Sequence, residues 1–467
     1  MCREAAHGEP GASRPKVEVQ ERIRYGGVPG GPAPTTPPFA RLLRRLRLRA
    51  RLTQEELADR SGLSVEAISA LERGFRRHPR RATRALLADA LGLAAPERDA
   101  LLAQTPLPGR GPQLRPASTM PQGEVPLPPT RLIGRDADLE RARELVGRAD
   151  VRLVTITGPA GVGKSRLALQ VAHELAGEFE EVVLASLAAL SGPDMAGCAI
   201  AVALGAPAGP QPLVDRLAAR IGSRRLLLVV DDFELLVPAA SLLAELLARC
   251  TELTLLVTSR RPLRIRGEHE LAVQPLGAAP AAGLFAERAL AAAPELRLGG
   301  AEAPAIAGIC AALDGLPLAL ELAAPWVRML SPEALDAQLR ERRLDLLTQG
   351  AQDLPEHQRT MRDTLRRSYE LLSEEERALF RRLSVFDGSP TLSAVRAVYE
   401  AAGPLDGELL QLAAGLLDVH LVRRDRRSDE LRFGMLETTR AFGRELLRAA
   451  GEADATSRAH GRLGDLT

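Results

Sequence analysis

The sequence predicts a multidomain chain. An all-α domain of short helices comes first, followed by an α/β P-loop domain with a parallel sheet, a helical domain, and a last helical domain with one hairpin. Three observations predict it. Apolar residues recur at helical spacing through residues 39–104. From residue 131 to about 275, short apolar strands alternate with helical stretches, the pattern of a parallel sheet covered by helices. Between the first strand and its helix lies Gly158-Pro-Ala-Gly-Val-Gly-Lys164-Ser165, a Gly-rich phosphate loop in its expected setting.

Length and composition agree. At roughly 100–200 residues per domain, 467 residues allow about three or four domains. Hydrophobic residues make up 45% and charged residues 26%, which excludes a wholly disordered or fibrous chain. The net charge is only +2, so any nucleic-acid site must come from local charge. Cys2, Cys198, Cys250 and Cys310 form no CxxC pair, which speaks against a disulfide framework or a zinc ribbon. No apolar run reaches the roughly 18 residues of a membrane span, and the N-terminus lacks an apolar signal core. A cytoplasmic location is expected, with no membrane partner. Only Lys16 and Lys164 are lysines among 62 basic residues. A lysine kept in so Arg-rich a background is expected where a compact ammonium is required.

The expected boundaries follow. Residues 1–38 are Gly- and Pro-rich and read as disordered. Residues 39–104 form the first helical domain, and residues 105–130 a Pro-rich linker. Residues 131–275 form the P-loop domain, 276–350 a helical domain and 351–450 the last domain. Residues 451–467 read as a C-terminal tail, the start of a repeat domain that is absent.

In the first domain, Thr53 can cap a helix over Gln54–Arg60, with Glu56 as its capping-box partner. Ser61-Gly62-Leu63 is a short turn, and Ser64 can cap a helix over Val65–Glu72 that Gly74 ends. Two short helices joined this way make a helix-turn-helix pattern. Residues 39–104 hold 14 Arg against 8 acidic residues, +6 for this domain alone. Arg73, Arg76, Arg77, Arg80 and Arg81 cluster just after the second of these helices, as phosphate contacts require. The string LTQEELADRSGLSVEAISALERG resembles the Cro/cI, or xenobiotic-response-element (XRE), type of helix-turn-helix. That resemblance implies double-stranded DNA as a partner. It places Ser64, Val65, Glu66 and Ser69 at base edges, Gln54 on the DNA backbone, and Arg73, Arg76 and Arg77 on phosphates. Glu66 repels phosphate but can accept from a cytosine amino group.

In the P-loop domain, Val151–Thr157 is the buried strand. Gly158, Gly161, Val162 and Gly163 let backbone N–H groups curl around phosphate, aided by the helix N-terminus. Lys164 reaches the outer phosphates, Ser165 ligates Mg²⁺, and Arg166 at the helix start is a further nucleotide-binding residue. Leu226–Val230 is a second apolar strand, and its following Asp231 is the expected Mg²⁺ partner. Asp232 is the catalytic candidate, placed to orient or deprotonate a water. Leu253–Val257 ends in Thr258-Ser259-Arg260, and Arg260 is expected to face the terminal phosphate.

With these stations in order, residues 131–450 resemble the NB-ARC type of signal-transduction ATPase, the STAND class. The resemblance implies that Ile133, Gly134 and Arg135 of the leading Arg131-Leu-Ile-Gly-Arg135 motif pack on adenine. It places Pro317 of Gly315-Leu-Pro-Leu318 against adenine too. It implies ATP/ADP and Mg²⁺ as ligands and a winged-helix domain over 351–450. There Leu421-Val-Arg-Arg424 pairs with Leu431-Arg-Phe433 as the wing. Leu436 stands where many relatives carry a histidine that contacts ADP, so locking of ADP through this position is not expected.

The function expected is a nucleotide-switched transcriptional regulator in which slow ATP hydrolysis resets the switch. The ATP state would self-associate, and a separate sensor protein would supply the signal. A signalling or defence module with vestigial DNA binding, or a DNA-stimulated turnover ATPase, are the alternatives. Replacing Arg76 and Arg77 together with Ala should weaken DNA binding and reduce the slope of log affinity against log salt by about two. Fluorescence anisotropy across a salt series measures this, and unchanged binding contradicts it.

Overall fold

The computed structural model describes residues 38–50, 52–61, 65–72, 87, 90–91, 130–188, 195–207, 210–234, 239–348, 350–351, 354–402, 408–425 and 430–464. The chain divides into two compact units between Gln113 and Leu114.

The first unit carries α1 (Pro38–Arg49), α2 (Gln54–Ser61) and α3 (Val65–Glu72). Thr53 and Glu56 form the expected reciprocal cap: Thr53 N–H donates to the Glu56 carboxylate at 2.7 Å, and Glu56 N–H to Thr53 Oγ1 at 3.1 Å. Leu43, Leu46, Leu57, Ile68 and Leu71 close a small core with Leu87 and Leu91. One ion pair spans it. Arg47 donates Nε to Glu72 Oε1 at 2.6 Å and Nη2 to Oε2 at 2.8 Å, while Nη1 bonds the Leu52 carbonyl at 2.8 Å. This bidentate pair ties α1 to the end of α3 with little water nearby.

The second unit opens with α4 (Asp136–Gly147), β1 (Leu153–Thr157), α5 (Lys164–Glu174), β2 (Glu181–Ser186), α6 (Ala196–Leu204), α7 (Leu213–Ile221), β3 (Leu226–Asp231), α8 (Ala240–Arg249), β4 (Leu253–Thr258) and β5 (Glu268–Ala272). The strands form one parallel sheet in the order β2-β3-β4-β1-β5. Alternation sorts their side chains: Leu226, Leu228 and Val230 join the core with α6, α7 and α8, while Leu227 and Val229 join that of α5. Because both faces are covered, the strands read as unbroken apolar runs. The chain leaves β1 towards β2 on one side and leaves β4 towards β5 on the other. A crevice therefore opens beyond the C-terminal ends of β1 and β4, where such sheets bind ligands.

Four helices follow: α9 (Ala278–Ala292), α10 (Ala303–Ala312), α11 (Pro317–Ala323) and α12 (Pro332–Leu346). The last region holds α13 (Met361–Tyr369), α14 (Glu374–Leu383), α15 (Leu392–Ala401), α16 (Leu409–Asp418), β6 (Arg423–Asp425), β7 (Arg432–Gly434), α17 (Glu437–Ala449) and α18 (Ala453–Gly464). One apolar cluster runs from Ala142 to Ala459, so the sheet and these helices share a core. Ser373 caps α14 with Glu376 in a reciprocal capping box. The hairpin is offset from its expected register: Arg423 pairs with Gly434 and Asp425 with Arg432. Leu421 and Val422 are buried instead, and both N–H groups bond the Leu416 carbonyl, so pairing starts only at Arg423. In the C-terminal tail residues 453–464 form a helix, with the His460 ring edge-on to Phe386 at 4.8 Å. Among the described residues no helix is long and apolar enough to cross a membrane.

Glu72→Ala leaves the Arg47 charge buried without its partner and is expected to destabilise the first unit by about 3–5 kcal/mol. Calorimetry of the full chain should then show an early unfolding transition, and an unchanged profile contradicts the role given to the pair.

Candidate functional site

The phosphate loop leaves β1 through three left-handed glycines: Gly158 at φ 147°, Gly161 at φ 76° and Gly163 at φ 100°. A Cβ on Gly161 would lie 2.9 Å from the Leu318 side chain, whereas one on Gly163 would meet nothing within 4 Å. The loop is thus packed on one flank and open on the other, as a cradle for oxygen atoms must be. Gly161 also accepts a bond from Leu318 N–H at 3.1 Å, which ties the loop to α11. Lys164 is buried, and its Nζ donates to the Gly158 and Pro159 carbonyls at 3.0 and 3.2 Å. Burial, helped by the nearby Arg260 charge, lowers its pKa to about 8, against the pull of Glu234, Asp232 and Asp231.

Two adjacent carboxylates at the end of β3 meet opposite environments. Asp231 accepts from Thr258 Oγ1 at 2.5 Å. Burial, and then the charge of Asp232, raises its pKa to about 6 despite hydrogen bonds from Thr258 and Ser165. Asp232 sits at φ 64°, its N–H bonded to Thr258 Oγ1 at 3.0 Å. Burial pushes its pKa up, but the His357 hydrogen bond and the charges of Arg260, Arg367 and His357 outweigh that and hold it at about 2. His357 Nε2 lies 3.4 Å from Asp232 Oδ2.

Arg260 is turned differently from the expectation that it faces the terminal phosphate. Its Nε pairs with Glu234 at 2.8 Å, and its Nη1 bonds the Thr364 carbonyl at 2.8 Å and the Ser368 hydroxyl. Its partners are thus a third buried carboxylate and helix α13. Arg135 and Arg166 also have protein partners. Arg135 is buried and bonds the Val162 carbonyl at 2.9 Å, the Gln274 carbonyl at 2.7 Å and Asp138 at 2.9 Å. Arg166 bonds Glu321 at 3.2 Å and the carbonyls of Thr130 and Arg131 at 2.8 and 2.9 Å. Both shape the loop from behind. Gly134 abuts Pro280, and Ile133 packs on the shared core. Pro317 begins α11 two residues after Gly315, whose carbonyl accepts from Leu276 N–H at 3.0 Å. Beside the loop lies a cavity of about 770 Å³ lined by Pro159, Gln274, His420, Val422 and Leu436. Its size falls within the roughly 300–1,000 Å³ usual for ligand pockets.

In the first unit, Ser64, Arg73, Arg76 and Arg77 lie outside the described residues. Val65 and Glu66 belong to α3, but their side chains also lie outside the description. Ser69 is half-buried on α3. Gln54, expected on the DNA backbone, donates its amide to Glu72 at 2.7 Å instead, because that carboxylate has acceptor capacity left beside Arg47.

Residues 38–101 match a helix-turn-helix domain family, and residues 148–271 match an AAA domain family. The chain is 36% identical over 331 residues to the uncharacterized protein Rv0894 of Mycobacterium tuberculosis, covering 70% of this chain and 84% of that protein. The chain belongs to the family of that protein. It is also 39% identical over 319 residues to Rv0890c of Mycobacterium tuberculosis, which bears the provisional name HTH-type transcriptional regulator. That match covers 66% of this chain and 35% of the relative, so the chain spans about a third of its length. Among solved structures the chain is similar to PH0952 of Pyrococcus horikoshii, a STAND protein with a tetratricopeptide repeat sensor. That match has 17% identity and TM-score 0.33, and covers 70% of this chain and 44% of the other. This family member therefore combines a Cro/cI-type helix-turn-helix domain with a P-loop ATPase domain.

Sequence reasoning missed Glu234, His357, Arg367 and His420. Glu234 lies three residues beyond Asp231 and could have been flagged as another acid at the same strand end. The others lie more than 100 residues away with no motif around them.

The paired aspartates give a test with opposite signs. An unfolded Asp titrates near 3.9, so Asp232, held lower, stabilises the fold above that pH and loses its contribution as pH falls towards 2. Asp231, held higher, lowers stability as pH rises from about 4 through 6. At pH 7 Asp231→Asn should raise stability and Asp232→Asn should lower it. At pH 4.5 most of the Asp231→Asn gain should vanish. Thermal unfolding measures both, and shifts of the same sign contradict the assignment.

Proposed function

We propose that the chain is a nucleotide-switched DNA-binding transcriptional regulator of the STAND type. The observation that carries this reading is the grip of α13 on the ends of β3 and β4. Arg260 holds Thr364 and Ser368, and Asp232 faces His357. Whatever enters beside Lys164 changes the charge balance at these contacts. The second link is Asp314, whose carboxylate accepts the Glu437 and Thr438 N–H groups at 2.7 and 2.8 Å and so joins the turn before α11 to α17.

The residues fit a bound Mg-nucleotide. The open flank at Gly163, the buried ammonium of Lys164 and the adjoining cavity would take the phosphates. Ser165 and Asp231 would hold Mg²⁺, which neutralises phosphate charge when bound. Gly158, Gly161 and Val162 supply the loop, Pro317 braces it, and Ile133, Gly134, Arg135 and Arg166 set its position. Asp232 would orient a water, but it is engaged by His357 here, which suits a slow, resetting hydrolysis. Helices α13–α17 with the β6–β7 hairpin act as the winged-helix domain that closes over the site. In the ATP state Arg260 would exchange α13 for the terminal phosphate. Inverting a two-state equilibrium from 1:99 takes about 5.5 kcal/mol of differential binding. A hydrogen bond to a charged group contributes about 1.5–3 kcal/mol, so the two bonds from Arg260 and the His357 contact of Asp232 together reach that scale.

Ser64, Val65, Glu66 and Ser69 would then read base edges, with Arg73, Arg76 and Arg77 on phosphates. Gln54 would orient Glu72 and Arg47 rather than the DNA. The open state would self-associate, and a dimer gains affinity by engaging two half-sites. A separate sensor protein would set the equilibrium, and the site of action would be the cytoplasm. Lys164→Ala should weaken ADP and ATP binding about 10- to 100-fold and abolish the promoter response. Calorimetric titration and a reporter assay measure these, and an intact response with intact affinity overturns the reading.

A further inference from the structure

His420 is used by nothing above. It follows α16 at φ 54°, a left-handed residue where the chain turns towards β6. Its N–H bonds the Leu417 carbonyl at 3.0 Å, which fixes the backbone. The imidazole lines the cavity that Pro159 of the phosphate loop also lines. Its Nε2 is buried and has no hydrogen-bond partner in the structure. A buried polar atom in that condition costs free energy unless a ligand satisfies it.

We propose that His420 completes the nucleotide site from the C-terminal side, its Nε2–H donating to a terminal phosphate oxygen of a nucleoside di- or triphosphate held at Lys164. This rests on the nucleotide-site reading given above. The surroundings explain why the group is a histidine. Burial, and then the Lys164 charge, holds the imidazole neutral with its pKa down at about 4. A phosphate placed between the ammonium and the imidazole reverses that field. The imidazole then takes a proton from solvent and becomes a charged donor. The other charged groups facing it are Arg423, Arg424 and Asp425 on the same cavity wall, and Asp418 two residues back, which is paired with Arg264. A monophosphate lacks the outer phosphate that would meet Nε2, so the contact favours di- and triphosphates over monophosphates.

The test uses the full chain and His420→Asn, since Asn tolerates the left-handed backbone but is too short to reach the ligand. Far-UV circular dichroism and melting temperature establish that the variant folds. Calorimetric titrations with ADP and with AMP are run from pH 8 to pH 6. The expected result is an ADP affinity about tenfold lower in the variant at pH 7, a ratio that widens towards pH 6, and no change for AMP. Equal ADP affinities, or a ratio that stays constant with pH, overturn the proposal. Wild-type protein that binds neither nucleotide overturns the underlying site reading instead, which separates the two failures. Should His420→Asn melt early, His420→Gln repeats the comparison: it restores a neutral donor, so it should recover affinity at pH 8 but not the widening towards pH 6.

Discussion

The second unit depends on how three carboxylates are buried together. Asp231, Asp232 and Glu234 lie at one strand end, and Lys164, Arg260 and Arg367 share the same small volume. Two unit charges about 4 Å apart interact by about 4 kcal/mol at an effective dielectric of about 20. No one of these charges can therefore change without its neighbours responding. Three cations facing three carboxylates is a balanced set, and a phosphate group would unbalance it.

That balance reaches beyond the sheet because part of it is supplied by distant chain. His357 and Arg367 come from around α13, and the Arg260 guanidinium is closed off by the Thr364 carbonyl. The phosphate loop is braced from behind by Arg135 and from the side by Leu318. The site is thus a junction of three regions rather than a groove in one. A turnover catalyst would keep Asp232 free for water, whereas here it faces His357.

Much of this was legible in sequence where the signal is local. The phosphate loop, the two apolar strands ending in Asp231 and Thr258, and the cap at Thr53 each need only a few consecutive residues. The helix limits of α2 and α3 followed from the same caps and turn. Side chains whose partners lie far along the chain were less legible. Arg135, Arg166 and Arg260 were read as nucleotide contacts because they adjoin motif residues, yet each bonds protein. An arginine has five donors, and what they meet is set by folding, not by neighbours in sequence. Gln54 likewise bonds Glu72, 18 residues away in sequence. The edge strand β5 is only partly buried and mixes charged with apolar residues, so it gave no apolar run to read.

The central claim is that nucleotide at the phosphate loop controls the grip of α13. Amide hydrogen exchange across Met361–Tyr369, compared between ADP and a non-hydrolysable ATP analogue with Mg²⁺, tests it most directly. The account predicts strong protection with ADP and markedly faster exchange with the ATP analogue, while β1 and β4 remain protected in both. Equal protection of Met361–Tyr369 in the two states would contradict it.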